Sequence, residues 1–216
     1  ESTNKKIEGD GLYLIDSGGQ YYDGTTDLTR TVAVGTPSEQ MKKHYTLVLK
    51  GHIAMARAVF PSGTTGAQID HLAREPLWKE GLDYAHGTGH GVGMFLNVHE
   101  GPASLSPRSN YPLQAGMLLS NEPGYYKTDA YGIRIENLVF VKEAGFAFED
   151  GRSALCFETV SYVPFDRTLI VKDLLCEEEV VWLDNYHADV WRSVSPFVAA
   201  DRDVYDWLYD CTRPLS

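Results

Sequence analysis

Residues 12–34 read LYLIDSGGQYYDGTTDLTRTVAV and contain two aspartates within a predicted β-hairpin. An apolar run ends at Asp16, and β-branched residues recur after Asp27. Between them, Gly18-Gly19 and Asp23-Gly24 are the residue types that favour turns. Because β-branched residues favour strands, the stretch predicts two strands that each carry an acid.

A second stretch repeats this arrangement later in the chain. Strands are predicted over residues 117–121 and 133–142, and Pro123-Gly124 turns the chain between them. Glu122 follows the first of these strands, and Glu136 lies inside the second. A carboxylate among apolar residues is costly to bury unless it is paired or bound to a metal ion. The acids of both hairpins are therefore candidates for one site, although each taken singly is also typical of a solvated turn.

Helices are predicted between and after the two hairpins. A capping box at residues 36–39 begins the first helix. A second helix covers residues 65–81, where Pro76 should kink or shorten it. Residues 159–170 resemble a strand, and terminal helices follow from Glu177. This order predicts an α+β fold, an antiparallel sheet flanked by helices.

The composition argues against several classes of function. The 216 residues include 19 Lys+Arg against 30 Asp+Glu, a net charge of −11, and no basic cluster, so we expect no nucleic acid partner. No apolar run approaches the ~18 residues that cross a bilayer, so we expect no membrane partner. The three cysteines show no Cys-x-x-Cys spacing, which favours a reducing, cytoplasmic compartment over a disulfide framework.

Residues 84–101 combine His86, His90 and His99 with a run of glycines. The glycines do not match a nucleotide-binding loop, and the chain lacks the His-Glu-x-x-His and Gly-x-Ser-x-Gly motifs. Carboxylates with one imidazole instead suit Mn²⁺, Co²⁺, Zn²⁺ or Fe²⁺. Four carboxylates around two such ions would balance charge, as in two-metal hydrolases.

Six blocks of the sequence resemble, in the right order, the aminopeptidase P (X-prolyl aminopeptidase) family, in particular its eukaryotic cytosolic type. This family belongs to the metallopeptidases with the pita-bread (creatinase/methionine aminopeptidase-like) fold, a curved antiparallel sheet flanked by helices. The resemblance runs almost end to end. The blocks are YLIDSG (13–18), DGTTDLTRT (23–31), HGTGHGVG (86–93), FLNVHEGP (95–102), NEPGYY (121–126) and GIRIEN (132–137).

The resemblance implies a site for two divalent metal ions, Mn²⁺ with Co²⁺ or Zn²⁺ as alternatives. Asp27 and Glu136 would bridge both ions, and Asp16 would complete one of the two sites. His90 and Glu122 would complete the other. Glu122 would also act as the general base towards the water between the ions.

The resemblance also assigns roles to two further histidines and an arginine. His86 and His99 would be catalytic and substrate-binding residues that hydrogen-bond the scissile carbonyl and flank the proline pocket. A purely structural role in a glycine-rich loop is the alternative for both. Arg134 would bind substrate-side groups and pair with a metal-binding aspartate. Because residues i and i+2 of a strand share a face, Arg134 and Glu136 can point to the same site.

The implied activity is removal of the N-terminal residue from X-Pro peptides by a cytoplasmic homodimer. One alternative is a prolidase-like dipeptidase on the same fold, which substrate length would distinguish. The other is a metal-free protein-binding module or an inactive fragment, which metal content would distinguish.

The resemblance further implies that residues 1–216 are a C-terminal catalytic domain without the preceding domains. The start of this domain, including a substrate-binding histidine, would precede Glu1. On this basis the fold is expected to be incomplete at the N-terminus, and the chain alone is expected to be weakly active or inactive.

Overall fold

The computed structural model describes residue 4 and residues 6–215. Helices and antiparallel strands alternate along these residues, as the α+β prediction requires. None of the helices that the described residues form is long and apolar enough to cross a lipid bilayer. The α-helices are α1 (Glu39–Ala56), α2 (Gly66–Ile69), α3 (His71–Trp78), α4 (Glu177–Val198) and α5 (Arg202–Thr212), and short 3-10 helices cover Arg167–Leu169 and Lys172–Leu174.

The strands divide by hydrogen bonding into one four-stranded sheet and three two-stranded sheets, and every pairing is antiparallel. The larger sheet has the order β3-β10-β9-β6, and the smaller ones are β1-β2, β4-β5 and β7-β8. The strands are β1 (Gly11–Gln20), β2 (Thr25–Val34), β3 (Val59–Pro61), β4 (Gly89–His90), β5 (Ser104–Leu105), β6 (Leu118–Asn121), β7 (Gly124–Lys127), β8 (Tyr131–Arg134), β9 (Asn137–Ala147) and β10 (Ser153–Thr159).

The first predicted hairpin is present as β1 and β2. Its register places Asp16 opposite Thr29 and Gly18 opposite Asp27. Opposed residues, and residues two apart on one strand, lie on the same face of a sheet. The hairpin therefore presents Asp16, Asp27 and Thr29 on one face.

The second predicted hairpin is interrupted where its acids lie. β6 pairs with β9 as far as Asn121 opposite Asn137, and β7 pairs with β8 from Gly124 opposite Arg134. The prediction that Glu136 lies inside a continuous strand is therefore wrong. The backbone N–H of Glu136 instead donates to the Thr29 carbonyl of β2 at 3.0 Å, which ties this break to the first hairpin.

Two predicted helix boundaries differ from the structure. The cap of α1 is Ser38, whose hydroxyl accepts from the Met41 N–H, and not the predicted Thr36. The second helix begins with a capping box at Thr65 and Gln68, but it divides into α2 and α3 at Asp70. Pro76 lies inside α3, which ends at Trp78 and is therefore shorter than the predicted helix to residue 81.

Residues 159–170 do not form the predicted strand. β10 ends at Thr159, and a 3-10 turn follows at Arg167–Leu169. Asp166 caps this turn, because its Oδ1 accepts from the Thr168 N–H at 2.9 Å. The local hydrogen bonds of an aspartate favour a turn over a strand here.

The core consists of two apolar clusters that meet along α1. One cluster packs Tyr45 and Ile53 of α1 against Leu183 of α4. The other packs Met55 against the larger sheet, including Val139 of β9. Because α1 contributes to both clusters, it joins the terminal helices to the larger sheet.

Candidate active site

The carboxylates of the two hairpins are brought together across β2. Thr29, on the same face of the hairpin as Asp27, donates its hydroxyl to Glu136 Oε2 at 2.7 Å. Asp27 and Glu136 are both at least nine-tenths buried. Two sequence-distant acids thus meet because β2 lies against the break between β8 and β9.

His90 joins this group from β4. Its Nε2 lies 3.5 Å from Asp27 Oδ2 and 3.2 Å from Glu122 Oε1. Its Nδ1 is 2.9 Å from the Gly91 carbonyl oxygen, which orients the ring so that Nε2 faces the acids. The Ser120 hydroxyl accepts from the His90 N–H at 3.0 Å and donates to Glu122 Oε1 at 3.0 Å.

Three of the five predicted metal-binding residues form one compact donor group. Asp27, His90 and Glu136 each offer a ligand atom, and these atoms all lie within 4.8 Å of one another. Glu122 adjoins the group through its contact with His90. Asp16 lies at the edge, with about half of its side chain exposed, and its Oδ2 is 2.5 Å from Arg134 Nη2.

Arg134 contacts the site from the end of β8, although it does not share a continuous strand with Glu136. Besides Asp16, its Nη1 donates to the Tyr126 hydroxyl at 3.0 Å and its Nε to the Thr29 hydroxyl at 3.3 Å. The same Nε lies 3.7 Å from Glu122 Oε2. One cation therefore faces two carboxylates, those of Asp16 and Glu122.

His86 and His99 flank the same group of residues. His86 Nε2 is 2.9 Å from the Tyr126 hydroxyl, and its Nδ1 is 2.8 Å from the Gly87 carbonyl oxygen. The His99 ring stands at 86° to the His90 ring, with 4.2 Å between centroids. A cavity of about 460 Å³ is lined by His86, Gly87, Gly89, His90, His99, Glu122 and Arg134.

Burial and neighbouring charges shift the pKa values of Glu136 and His90. Burial, with the nearby charge of Glu122, raises the pKa of Glu136 to about 8. Burial opposes charge on His90, but its hydrogen bonds to Asp27 and Glu122 outweigh burial and raise its pKa to about 10. Buried negative charge in excess of its cationic partners is what a bound divalent ion would neutralise. Oxygen donors with one imidazole therefore fit such an ion.

Three further residues contact the predicted site residues, and the sequence analysis assigned none of them a role. Thr29 and Ser120 donate to Glu136 and Glu122, and Tyr126 connects His86 to Arg134. The blocks that contain Thr29 and Tyr126 were visible in the sequence. Ser120 had no signal, because only the pairing of β4 with neighbouring segments brings it beside His90.

The chain matches the profile described as metallopeptidase family M24 over residues 1–143. The profile of the C-terminal region of peptidase M24 matches residues 153–215. The two matches together cover both acidic hairpins and the terminal helices.

Curated relatives are similar over the whole chain. The probable Xaa-Pro aminopeptidase P of Arthroderma gypseum is 52% identical over 219 residues, which cover 100% of this chain and 34% of the relative. The chain thus spans about a third of the length of this relative.

Two solved structures are similar to different fractions of this chain. The X-prolyl aminopeptidase of Caenorhabditis elegans, described as a cytosolic enzyme with a dinuclear active site, matches with a TM-score of 0.88 and 45% identity. That match covers 94% of this chain and 33% of the nematode chain. The Xaa-Pro dipeptidase of Bacillus anthracis matches with a TM-score of 0.59 and 32% identity, over 72% of this chain and 40% of its own.

Proposed function

The chain belongs to metallopeptidase family M24, and we propose that it removes the N-terminal residue from peptides whose second residue is proline. The observation that carries the proposal is the meeting of Asp27, His90 and Glu136 beside a cavity that His86 and His99 line. Sequence identity supports an aminopeptidase over a dipeptidase, since the chain is 52% identical to the Arthroderma gypseum aminopeptidase and 45% identical to the nematode aminopeptidase, against 32% for the bacterial dipeptidase.

We also propose that residues 1–216 act as one catalytic domain. Both regions of the family profile fall within this chain, and the terminal helices share an apolar cluster with α1. The aminopeptidase activity, its X-Pro substrates and its partners are proposals for the longer protein that such relatives represent.

Two divalent ions are the proposed cofactor, with Mn²⁺ as the first candidate and Co²⁺ or Zn²⁺ as alternatives. The residues proposed to hold them are Asp16, Asp27, His90, Glu122 and Glu136. Oxygen-rich donor sets suit Mn²⁺, and the dinuclear site described for the nematode relative supports two ions. When bound, such ions supply Lewis acidity to a peptide carbonyl and lower the pKa of water.

The side chains around the ions divide the remaining work. Glu122 is the proposed general base, because its carboxylate accepts protons and lines the cavity. His86 and His99 are proposed to donate hydrogen bonds to the scissile carbonyl and to bound the proline pocket. Arg134 is proposed to orient Asp16, its partner at 2.5 Å, and to contact substrate.

A cytoplasmic location and a homodimer complete the proposal. The description of the nematode relative as cytosolic supports the location. The three cysteines are free thiols, as is usual in a reducing compartment. The dimer rests on the family resemblance alone.

The first test is metal stoichiometry, because it does not require activity. The chelator-treated chain is titrated with Mn²⁺ by calorimetry, beside Asp27→Asn and the exposed control Asp150→Asn. We expect two ions for the parent chain and for Asp150→Asn, and loss of binding in Asp27→Asn. An absence of binding in the parent chain would contradict the proposal.

The second test is substrate length. The loaded chain is incubated with an X-Pro tripeptide and with the matching X-Pro dipeptide, and free amino acid is measured. We expect cleavage of the tripeptide in preference to the dipeptide. Cleavage of the dipeptide alone would favour the prolidase-like alternative.

A further inference from the structure

A buried ion pair lies beneath the segment that joins the site histidines. Asp70 and Arg74 are at most 4% exposed and do not line the cavity. Arg74 Nε donates to Asp70 Oδ2 at 2.6 Å, and Nη2 donates to Oδ1 at 3.3 Å. Burying two charges is costly unless their remaining hydrogen-bonding groups are also satisfied. The other hydrogen-bond partners of Asp70 and Arg74 therefore show which segments the pair holds in place.

The other donors of Arg74 hold the backbone at His86. Nη2 donates to the His86 carbonyl at 2.7 Å, and Nη1 donates to the Tyr84 carbonyl at 2.7 Å. The guanidinium also lies 4.0 Å from the centroid of the Tyr84 ring. A rigid, planar cation therefore fixes the backbone on both sides of residue 85.

Asp70 holds the other end of the same segment. Its Oδ1 accepts from the Thr88 hydroxyl at 2.6 Å, and that hydroxyl is 2.5 Å from the Tyr84 hydroxyl. The carbonyl of Thr88 accepts from the Glu122 N–H at 2.7 Å. The pair is thus connected to His86 through one partner and to the backbone of Glu122 through the other.

We propose that Asp70 and Arg74 are positioning residues that set the separation of His86 and Glu122 across the cavity. The inference rests on the proposed function, which gives these two residues their roles. Neither Asp70 nor Arg74 touches the reacting groups. Their effect is geometric, and a displacement of about 1 Å at a reacting group can cost about 100-fold in rate.

The variants are chosen to remove single contacts. Thr88→Val deletes one hydroxyl at nearly constant volume, and Thr88→Ser keeps that hydroxyl. Arg74→Lys keeps the charge but loses the planar fork of donors. The matched control is Thr46→Val, since Thr46 of α1 is as buried as Thr88. Its hydroxyl donates to the Lys42 carbonyl at 2.8 Å and accepts from the Val171 N–H at 2.9 Å.

With metal-loaded protein and an X-Pro peptide, we expect Thr88→Val and Arg74→Lys to lower kcat by about 10- to 100-fold with little change in KM. Thr88→Ser should restore kcat to within about threefold of the parent value. Thr46→Val should lose a comparable amount of folding stability and keep its kcat. A Thr46→Val protein as slow as Thr88→Val would overturn the inference, because the effect would then be general.

A second readout needs neither metal nor activity. In ¹⁵N spectra of the metal-free protein, the ring signals of His86 should shift in Thr88→Val and Arg74→Lys, while those of His187 stay in place. Folded variants that retain both the parent kcat and the parent His86 signals would contradict the inference. If the parent chain binds no Mn²⁺, the proposed function fails, and the His86 signals still decide the role of the pair.

Discussion

Single charged residues in this protein differ sharply in how their charge is compensated. Arg30 is buried and has no carboxylate within ion-pairing distance among the described residues. Most of its donors go to carbonyl oxygens, including those of Glu136 at 2.6 Å and Val163 at 2.7 Å. His187 is fully buried, and its Nε2 accepts from the Phe165 N–H at 3.2 Å. The first residue is charged in the fold and the second is neutral, so each responds differently to substitution and to pH.

The contribution of His187 to stability should fall as the pH decreases from 7 to 5. Burial lowers the pKa of His187 to about 4 from 6.5. His187 of the unfolded chain therefore binds a proton below pH 6.5, whereas in the folded chain it does so only near pH 4. This difference lowers the free energy of unfolding by about 2 kcal/mol at pH 5. Urea unfolding at several pH values checks this. His187→Gln should remove the share of the pH dependence that comes from His187. If the free energy of unfolding depended on pH as strongly in this variant as in the parent chain, the role of His187 would be contradicted.

Arg30→Met should destabilise the protein by about 3 kcal/mol or more, because several buried acceptors lose their donor at once. The acceptors include Asn137 Oδ1 at 2.7 Å and the Tyr186 hydroxyl at 3.0 Å. Denaturant unfolding at pH 7 measures the loss. Arg57→Met is the control, since Arg57 makes only a surface ion pair with Glu178 and should change stability by less than about 1 kcal/mol. Equal losses of stability in the two variants would contradict the stabilising role of the buried Arg30 hydrogen bonds.

At the scale of elements, the site depends on two close approaches of backbone. The first hairpin brings Gly18 so close to β2 that an added Cβ would lie 2.3 Å from the Thr26 carbonyl oxygen. Gly89 of β4 is similarly close to its neighbour, because a Cβ added there would lie 1.9 Å from the Ser120 carbonyl oxygen. Because Gly18 lies opposite Asp27 and Gly89 precedes His90, the spacing of the strands and the placement of ligands are coupled.

Gly18→Ala should weaken Mn²⁺ binding by about tenfold or more and destabilise the protein by about 1–3 kcal/mol, because the strands must separate to admit the methyl group. Gly24→Ala is a matched control in the same hairpin, since nothing lies within 4 Å of its added Cβ. Calorimetric titration and denaturant unfolding of both variants check this. Normal Mn²⁺ affinity in Gly18→Ala would show that the hairpin adjusts without moving Asp27.

For the molecule as a whole, the candidate metal centre links segments that are far apart in sequence. Asp27 comes from β2, His90 from β4, and Glu136 from the break before β9. An ion that binds these residues together binds the folded chain and not the unfolded one. Metal binding and global stability are therefore linked.

Mn²⁺ at about 100 times its dissociation constant should raise the free energy of unfolding by about 2.7 kcal/mol per independent site. Thermal unfolding with and without the ion measures the shift. Asp27→Asn should lose the increase, and Asp150→Asn should retain it. A parent chain whose stability does not respond to Mn²⁺ would argue against a site assembled by folding.

The sequence by itself determined the first acidic hairpin, the terminal helices and the family, because strand alternation, turn residues and dense motif blocks are local features. Asp16, Asp27, His90, Glu122 and Glu136 were predicted as a group. The structure brings the last four together and places Asp16 at their edge, beside Arg134. Only the tertiary structure decided that Glu136 lies in a strand break, that Ser120 and Tyr126 contact the site, and that Asp70 and Arg74 brace it. Those features depend on hydrogen bonds between segments distant in sequence, which no local pattern encodes.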